Sequence, residues 1–568
     1  MPPPLPDSSP DSFVTAVASS PISDPPDSDK SCSSDARVQA LEAQYRKAMR
    51  LPPELSEHCR VYFEESLHPS ALYFLNSILT SRSDDPQTPV FCPPPSQLSL
   101  LLSTAVHPSF STRPKETDWP RLATDCIIYA RSLLKLLGPI DGGFRESTRF
   151  ESPRGTSPDS YFGAEDEDER GRIRLLGQFA RDSVWRRGRD FFSVVGWAFN
   201  CSVLYPDRWR YWRNWLDFMT ELLQNDLEER LRLDNENGDE DMTQLRDSIL
   251  AGYIAQRSGR SGIGIKWIMK TIFADGSKSA SSLFQEIWHK EHKGSSVQAM
   301  NKRKRDKVNI ESGDFGAWME NESVYSSQAS EPPTPQKRRT NSANLDQNDF
   351  QALEPAFVES IPLRQRLFSM LSYLCYHLSQ PPLDFTELYE SFETTIKQLP
   401  LPIFTAFING TTSTLRPEVQ VTVMRNVTEL FMPSNALSLE KVDRAKAESG
   451  AVTPEIIERC FLPYPANTVT AEDNAKVSAL LEELLRLPLD DTESFSHGLS
   501  AAVEKGVKAR EAKARKKKTR GNYGGDDPDA EARTVLEMSG QRLLLMAEMI
   551  AELSEAADDD EMSEDDIA

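Results

Sequence analysis

The sequence predicts an all-α protein, an irregular helical bundle or α-solenoid in two halves, with a disordered N-terminus, a central connector and a charged C-terminal tail. Three observations carry this. Most apolar positions recur at steps of three and four residues, which is the period of a helix face and not of a strand. Glycine is sparse while Leu, Ala and Glu are common. Several apolar runs begin with proline in what would be the first helical turn, where its missing donor costs nothing. No signature repeats at a fixed period, so no named repeat family is implied.

Along the chain, residues 1–36 are rich in Pro, Ser and Asp and too poor in large apolar side chains to offset chain entropy, so they are expected to be disordered. A helical domain is expected over 37–293. It begins with an amphipathic helix from Arg37 to Leu51 and continues with apolar stretches at Ala71–Leu79 and Gln97–Val106. The clearest early helix starts at Asp118, a good N-cap with Pro120 in the first turn, and ends at Gly138. Its stripe, Leu122, Cys126, Tyr129, Leu133 and Leu136, steps by four, three, four and three. Residues 139–170 read as an exposed loop, with Gly, Ser-Pro steps and the acidic run Glu165 to Glu169.

One helix is then predicted from Asp182 to Cys201 and another from Asp207 to about Leu233. The second places Trp209, Trp212, Leu216, Met219 and Leu223 on one stripe, widened by Trp215, Phe218 and Leu222. An apolar arc that wide implies burial from two sides. Helices over 242–257, 262–275 and 279–292 complete this half.

A connector is expected over 294–350 and a second helical region over 351–500. That region has helices at Pro362–Leu378, Phe385–Leu399, Pro417–Phe431 and Pro454–Phe461, and one opened by Thr470 and Asp473 in the manner of a capping box. Residues 501–530 read as a basic, Gly-rich linker, 531–556 as a last helix and 557–568 as an acidic tail.

Composition narrows the function. A net charge of -22 argues against a protein whose whole surface coats nucleic acid. The seven cysteines contain no C-x-x-C pair, which fits thiols in a reducing compartment and no disulfide scaffold. No basic n-region precedes an apolar core, and no window approaches the ~20 apolar residues of a membrane span, so no membrane partner is expected.

The connector holds two basic clusters, Lys302, Arg303, Lys304 and Arg305, then Lys337, Arg338 and Arg339, with the proline-directed phosphoacceptor Thr334 beside the second. Together they read as a nuclear import signal for an import receptor, set by phosphorylation. Ser563, followed by Glu564, Asp565 and Asp566, fits an acid-directed kinase site.

Between 170 and 215 ten arginines and no lysine are interleaved with tryptophans. Arginine forks bind phosphate or carboxylate bidentately and stack on rings, so Arg186, Arg187, Arg189, Arg210, Arg213 and Trp212 are candidate partner-binding residues. The plainer reading makes the tryptophans core and pairs the arginines with the acidic loop. Lys513, Arg515, Lys516, Lys517, Lys518 and Arg520 are candidate phosphate contacts.

Glu286, His289 and His292 have a spacing that metal sites on a helix use, but no second Glu-x-x-His segment supplies the remaining ligands. No G-x-S-x-G elbow or phosphate-loop spacing occurs, and no catalytic, metal or cofactor residue is assigned. The expectation is a nuclear, non-enzymatic helical scaffold or regulatory subunit that binds protein partners. Two alternatives stand beside it: a chromatin factor touching nucleic acid or histones, and an enzyme whose site carries no motif.

Overall fold

Helices form where the sequence places apolar residues at helical steps, and in the computed structural model they pack mostly against helices far away in sequence. The residues described are 45–80, 88–114, 116–150, 178–258, 264–293, 346–487, 495–515 and 529–565. The chain divides into Met1–Tyr45 and Arg46–Ala568, and every described helix belongs to the second unit. The predicted all-α class holds, with one small exception.

That exception is a two-stranded parallel ladder in which β1 (Ala48–Arg50) pairs with β2 (Val90–Cys92), Ala48 opposite Val90. The helix predicted from Arg37 to Leu51 is therefore wrong over its last residues. Arg46 stabilises the extended entry by donating from Nε to the Thr88 carbonyl at 2.9 Å, a partner that local periodicity does not reveal. Between the strands lie α1 (Pro53–Glu64) and α2 (His68–Thr80). Next come α3 (Pro95–Thr104) and α4 (Trp119–Asp141).

The predicted stop of α4 at Gly138 is real: that residue has φ +72° inside the last stretch, a conformation glycine adopts without steric penalty. Asp118 precedes the helix but makes no side-chain cap bond. The predicted loop after it folds in part, as Phe144–Ser147 is a helical turn; the acidic run 165–169 lies outside the described residues.

The helix expected from Asp182 to Cys201 is broken. Val184–Arg187 forms one turn, Gly188 is extended, and α5 (Phe191–Leu204) restarts where the Asp190 carboxylate accepts the Ser193 N–H at 2.9 Å. A capping aspartate after a glycine is the local reason. α6 (Pro206–Asn237) follows with Pro206 in its first turn. Its stripe is buried as predicted: Trp209, Trp212, Trp215, Phe218, Met219, Leu222 and Leu223 all lie in the core, because α6 packs against α4, α5 and a later long helix. Further on lie α7 (Ile249–Ser258) and α8 (Gly264–Ile272).

The second region opens with that long helix, α9 (Asp346–His377), which runs through Pro362 instead of starting there. Then come α10 (Phe385–Gln398), α11 (Leu401–Ile408), α12 (Pro417–Phe431) and α13 (Ala471–Leu485). Thr470 caps α13 as expected, its hydroxyl accepting the Asp473 N–H at 3.2 Å. The reciprocal bond of a capping box is replaced, since Asp473 accepts instead from the Thr468 hydroxyl. Residues read as a basic linker carry α14 (Leu499–Arg515), and α15 (Ala530–Asp565) extends through the acidic run.

The two halves are not separate bodies. One core joins Trp212 and Leu216 of α6 to Leu367, Phe368 and Leu371 of α9. Arg364 of α9 is fully buried between the rings of Phe199, at 4.1 Å, and Phe357, at 4.0 Å. It donates to the carbonyls of Ile272 and Ala274 at the end of α8, where a cation answers the helix dipole. Burial pushes this guanidinium down to about 9. Arg510 of α14 repeats the device, fully buried and donating to the carbonyls of Leu462 at 3.1 Å and Tyr464 at 3.2 Å. The approach is possible because residue 506 is glycine: a Cβ there would fall 1.8 Å from the Leu462 oxygen.

Candidate functional site

The arginine and tryptophan cluster separates by residue type. Trp185, Trp197, Trp209, Trp212 and Trp215 are core, which corrects the assignment of Trp212 to a binding surface. Its ring meets Trp215 edge-on at 5.6 Å and lies over Trp288 at 6.2 Å. Five large rings on neighbouring turns of α6, Trp209, Tyr211, Trp212, Trp215 and Phe218, cannot all reach solvent when the helix is enclosed by three others, so the indoles went inward and most arginines outward.

Those arginines do not form one groove. Arg213 is exposed and paired with Glu359 of α9, and Arg210 donates to the Tyr211 hydroxyl at 3.0 Å. Arg189 lies 5.9 Å over the Trp267 ring. Arg186 is half-buried in the same turn as Arg187. Arg187 lines a cleft of about 390 Å³ with His107, Pro108, Ser109, Arg113, Asp182, Trp288 and His289.

Three segments distant in sequence build this cleft. The first is the tight turn Pro108–Phe110, introduced by His107. The second is the turn Val184–Arg187 with Asp182 before it. The third runs from 284 to 293, where the predicted helix has already ended at Leu283. The segments are tied from below by an ion pair that sequence reasoning missed. Arg208 and Glu291 have no exposed side-chain surface and meet at 2.7 Å. Arg208 also donates to the Ser111 hydroxyl at 2.8 Å and to the Val106 carbonyl, and its guanidinium lies 4.9 Å from the Trp212 ring and 5.7 Å from the Trp288 ring. Burial raises the Glu291 carboxyl above its ordinary value although Arg208 opposes the shift.

Within the cleft Asp182 is the hub. One carboxylate oxygen faces His107 Nε2 at 3.0 Å, and the other accepts from Arg187 Nε at 2.7 Å. Its backbone carbonyl takes the Trp288 indole N–H at 2.8 Å. Burial pushes Asp182 up, but His107 and Arg187 outweigh it and hold the carboxyl below its ordinary range. Burial also dominates at His107, which stays below the usual imidazole value despite Asp182.

The His107 Nδ1 accepts the Ser109 N–H at 3.2 Å. Both ring nitrogens are thus engaged by the protein, so this histidine has no nitrogen left to deprotonate a nucleophile. Arg113 closes the rim by donating to the His289 carbonyl at 3.1 Å. The lining holds two arginines and one carboxylate, and so carries a net positive charge on a chain of net charge -22.

Other candidates fare differently. Glu286 faces His292 at 3.2 Å and His289 at 3.9 Å, but among the described residues no group of three ligands is placed to hold a metal. Lys513, a candidate phosphate contact, is half-buried and donates its ammonium to the Ala466 carbonyl at 2.5 Å. Its charge is therefore turned inward onto a backbone carbonyl. Arg515 ends α14, whereas Lys516, Lys517, Lys518 and Arg520 lie outside the described residues. So do Lys302, Arg303, Lys304, Arg305, Thr334, Lys337, Arg338 and Arg339. Ser563 falls within α15. Five of the cysteines are buried free thiols and Cys92 is half-buried. Among the described residues no helix is long and apolar enough to cross a membrane.

Fold and cleft together define an all-α protein with a small cationic recess. The chain matches no protein-family model and no curated protein.

Proposed function

We propose that the chain is a non-enzymatic nuclear scaffold or regulatory subunit whose cleft receives an acidic or phosphorylated segment of a partner protein. The observation that supports this reading most is the pair Arg113 and Arg187 at the rim of a cleft with a single carboxylate, itself already paired. Guanidinium forks suit carboxylate and phosphate, and an imidazole with both nitrogens engaged suits a wall better than a base. The basic clusters at 302–305 and 337–339 support nuclear entry, and Thr334 its control. Nucleic acid is the weaker occupant, since Lys513 turns inward.

The test measures fluorescence anisotropy of two labelled peptides, one Glu-rich and one phosphoserine-bearing, with the full chain. Arg113→Glu with Arg187→Glu is expected to abolish binding with only a modest fall in melting temperature, since the Arg187–Asp182 pair that is lost is largely exposed. Binding that survives the charge reversal removes the cleft from the mechanism.

A further inference from the structure

The outer face of α15 carries a stripe with no covering among the described residues. Met538 is 52% exposed, Leu545 58%, Met549 61% and Leu553 69%. They follow one another at steps of seven, four and four, so they lie on one line along the helix. The opposite face, with Leu536, Leu543 and Ala547, is buried against α13 and α14. The helix is thus seated by one face and leaves a second apolar face in solvent. Four large side chains in a row exceed what scattered surface residues explain, and methionine adapts its shape to a partner.

The borders of the stripe differ in charge. Glu537, Glu548 and Glu552 are exposed and fall along one border at helical steps; among the described residues none of the three has a cationic partner. On the other border Arg542 is engaged, donating to Glu482 from Nε at 2.8 Å and from Nη2 at 3.0 Å. A second copy of this chain would bring the same glutamate row and an Arg542 already held by its own Glu482, so self-pairing sets acid against acid. We propose that the stripe docks an amphipathic helix of a partner protein, with an apolar face bordered by lysines or arginines. This surface is distinct from the cleft and takes a partner of opposite charge.

The probe is a labelled synthetic peptide of roughly three heptads with leucine on its apolar face and lysine on its borders; its control carries glutamate instead of lysine. Anisotropy with the full chain is read at about 50 and about 200 mM salt. The lysine peptide is expected to bind and the glutamate peptide not. Leu545→Ser with Met549→Ser leaves net charge unchanged and should weaken binding at least ~10-fold, given the burial two such side chains supply. Glu537→Gln, Glu548→Gln and Glu552→Gln together should weaken it about 10-fold at low salt and much less at high salt.

Three results overturn the proposal. One is wild-type affinity in the serine variant, which leaves only diffuse attraction to an acidic chain. Another is equal binding of both peptides. The third is a concentration-dependent dimer in sedimentation that the serine variant dissolves, which gives the stripe to a second copy. Should the serine variant melt early, the glutamine variant, confined to the exposed border, decides alone.

Discussion

Replacing Arg208 with methionine removes the charge that holds three segments together under the cleft. The guanidinium is fully buried, pairs with an equally buried Glu291 at 2.7 Å, and donates to Ser111 and Val106. Breaking a buried pair by deleting one partner costs about 3–5 kcal/mol, because the remaining charge has neither water nor counterion. Ser111 retains another partner, since its hydroxyl donates to the His107 carbonyl at 2.9 Å, so the loss centres on Glu291 and the Val106 carbonyl. Burial has already raised the Glu291 carboxyl, and it will answer by protonating, which limits the loss to roughly 4 kcal/mol. Glu291→Gln strands the buried Arg208 guanidinium without its counterion and should cost as much or more. The double variant Arg208→Met with Glu291→Gln should lose less than the two singles summed, with a coupling of about 1–3 kcal/mol. Urea unfolding followed by tryptophan fluorescence measures all three, and Trp212 and Trp288 flank the pair. Single losses below ~1 kcal/mol that simply add would refute the latch.

Trp212→Ala should cost roughly 3–5 kcal/mol by calorimetry, through lost burial and a residual cavity among Trp215 and Trp288; a fully stable variant returns that ring to the surface. Glu393 is buried and its carboxyl is pushed up to about 7, by burial first and by Glu429 and Glu390, against the Asn426 amide. A folded value above the ordinary 4.5 means that this group's contribution falls as pH rises from about 4.5 through about 7. Glu393→Gln should therefore gain on the order of 2 kcal/mol at pH ~8 and nothing at pH ~4, which urea melts across pH will show. His68 runs the other way: burial, helped by His107, pushes it down to about 4, so its contribution is lost as pH falls from 6.5 toward that value. His68→Gln should flatten that acid limb. Alanine at Lys302, Arg303, Lys304, Arg305, Lys337, Arg338 and Arg339 together should move a fluorescent fusion toward the cytoplasm, and an unchanged nuclear signal counts against the import assignment.

What was legible in the sequence was local. The stripe of α4 and the wide apolar arc of α6 could be read because helix faces repeat every three or four residues, and Gly138 and Thr470 marked ends by their own chemistry. What was hidden was nonlocal or hinged on a single break. β1 was missed because Ala48 pairs with Val90, and the predicted helix through Asp182 overlooked that Asp190 caps a new start after Gly188. Arg187 was singled out, but His107, Arg113, Asp182 and Trp288 were not. Their residues come from three segments, and the pair beneath them spans positions 208 and 291. The Glu286, His289 and His292 spacing lost its meaning because the helix it presumed ends at Leu283.

The seat of α9 bears on what happens if the backbone is cut. Arg364 is clasped by the end of α8, Arg366 reaches Asp217 of α6 at 3.0 Å, and Arg416, just before α12, reaches Glu228 of α6 at 2.8 Å. With apolar side chains of both halves in one core, the covalent link between 294 and 345 is not what keeps them together. A protease nick there should yield two fragments that co-elute on gel filtration and part only in denaturant. The same seat means that two separately expressed pieces, split in that interval, should find each other and rebuild the cleft. Their dissociation rate would then become a direct reading of how strongly α9 holds to α6.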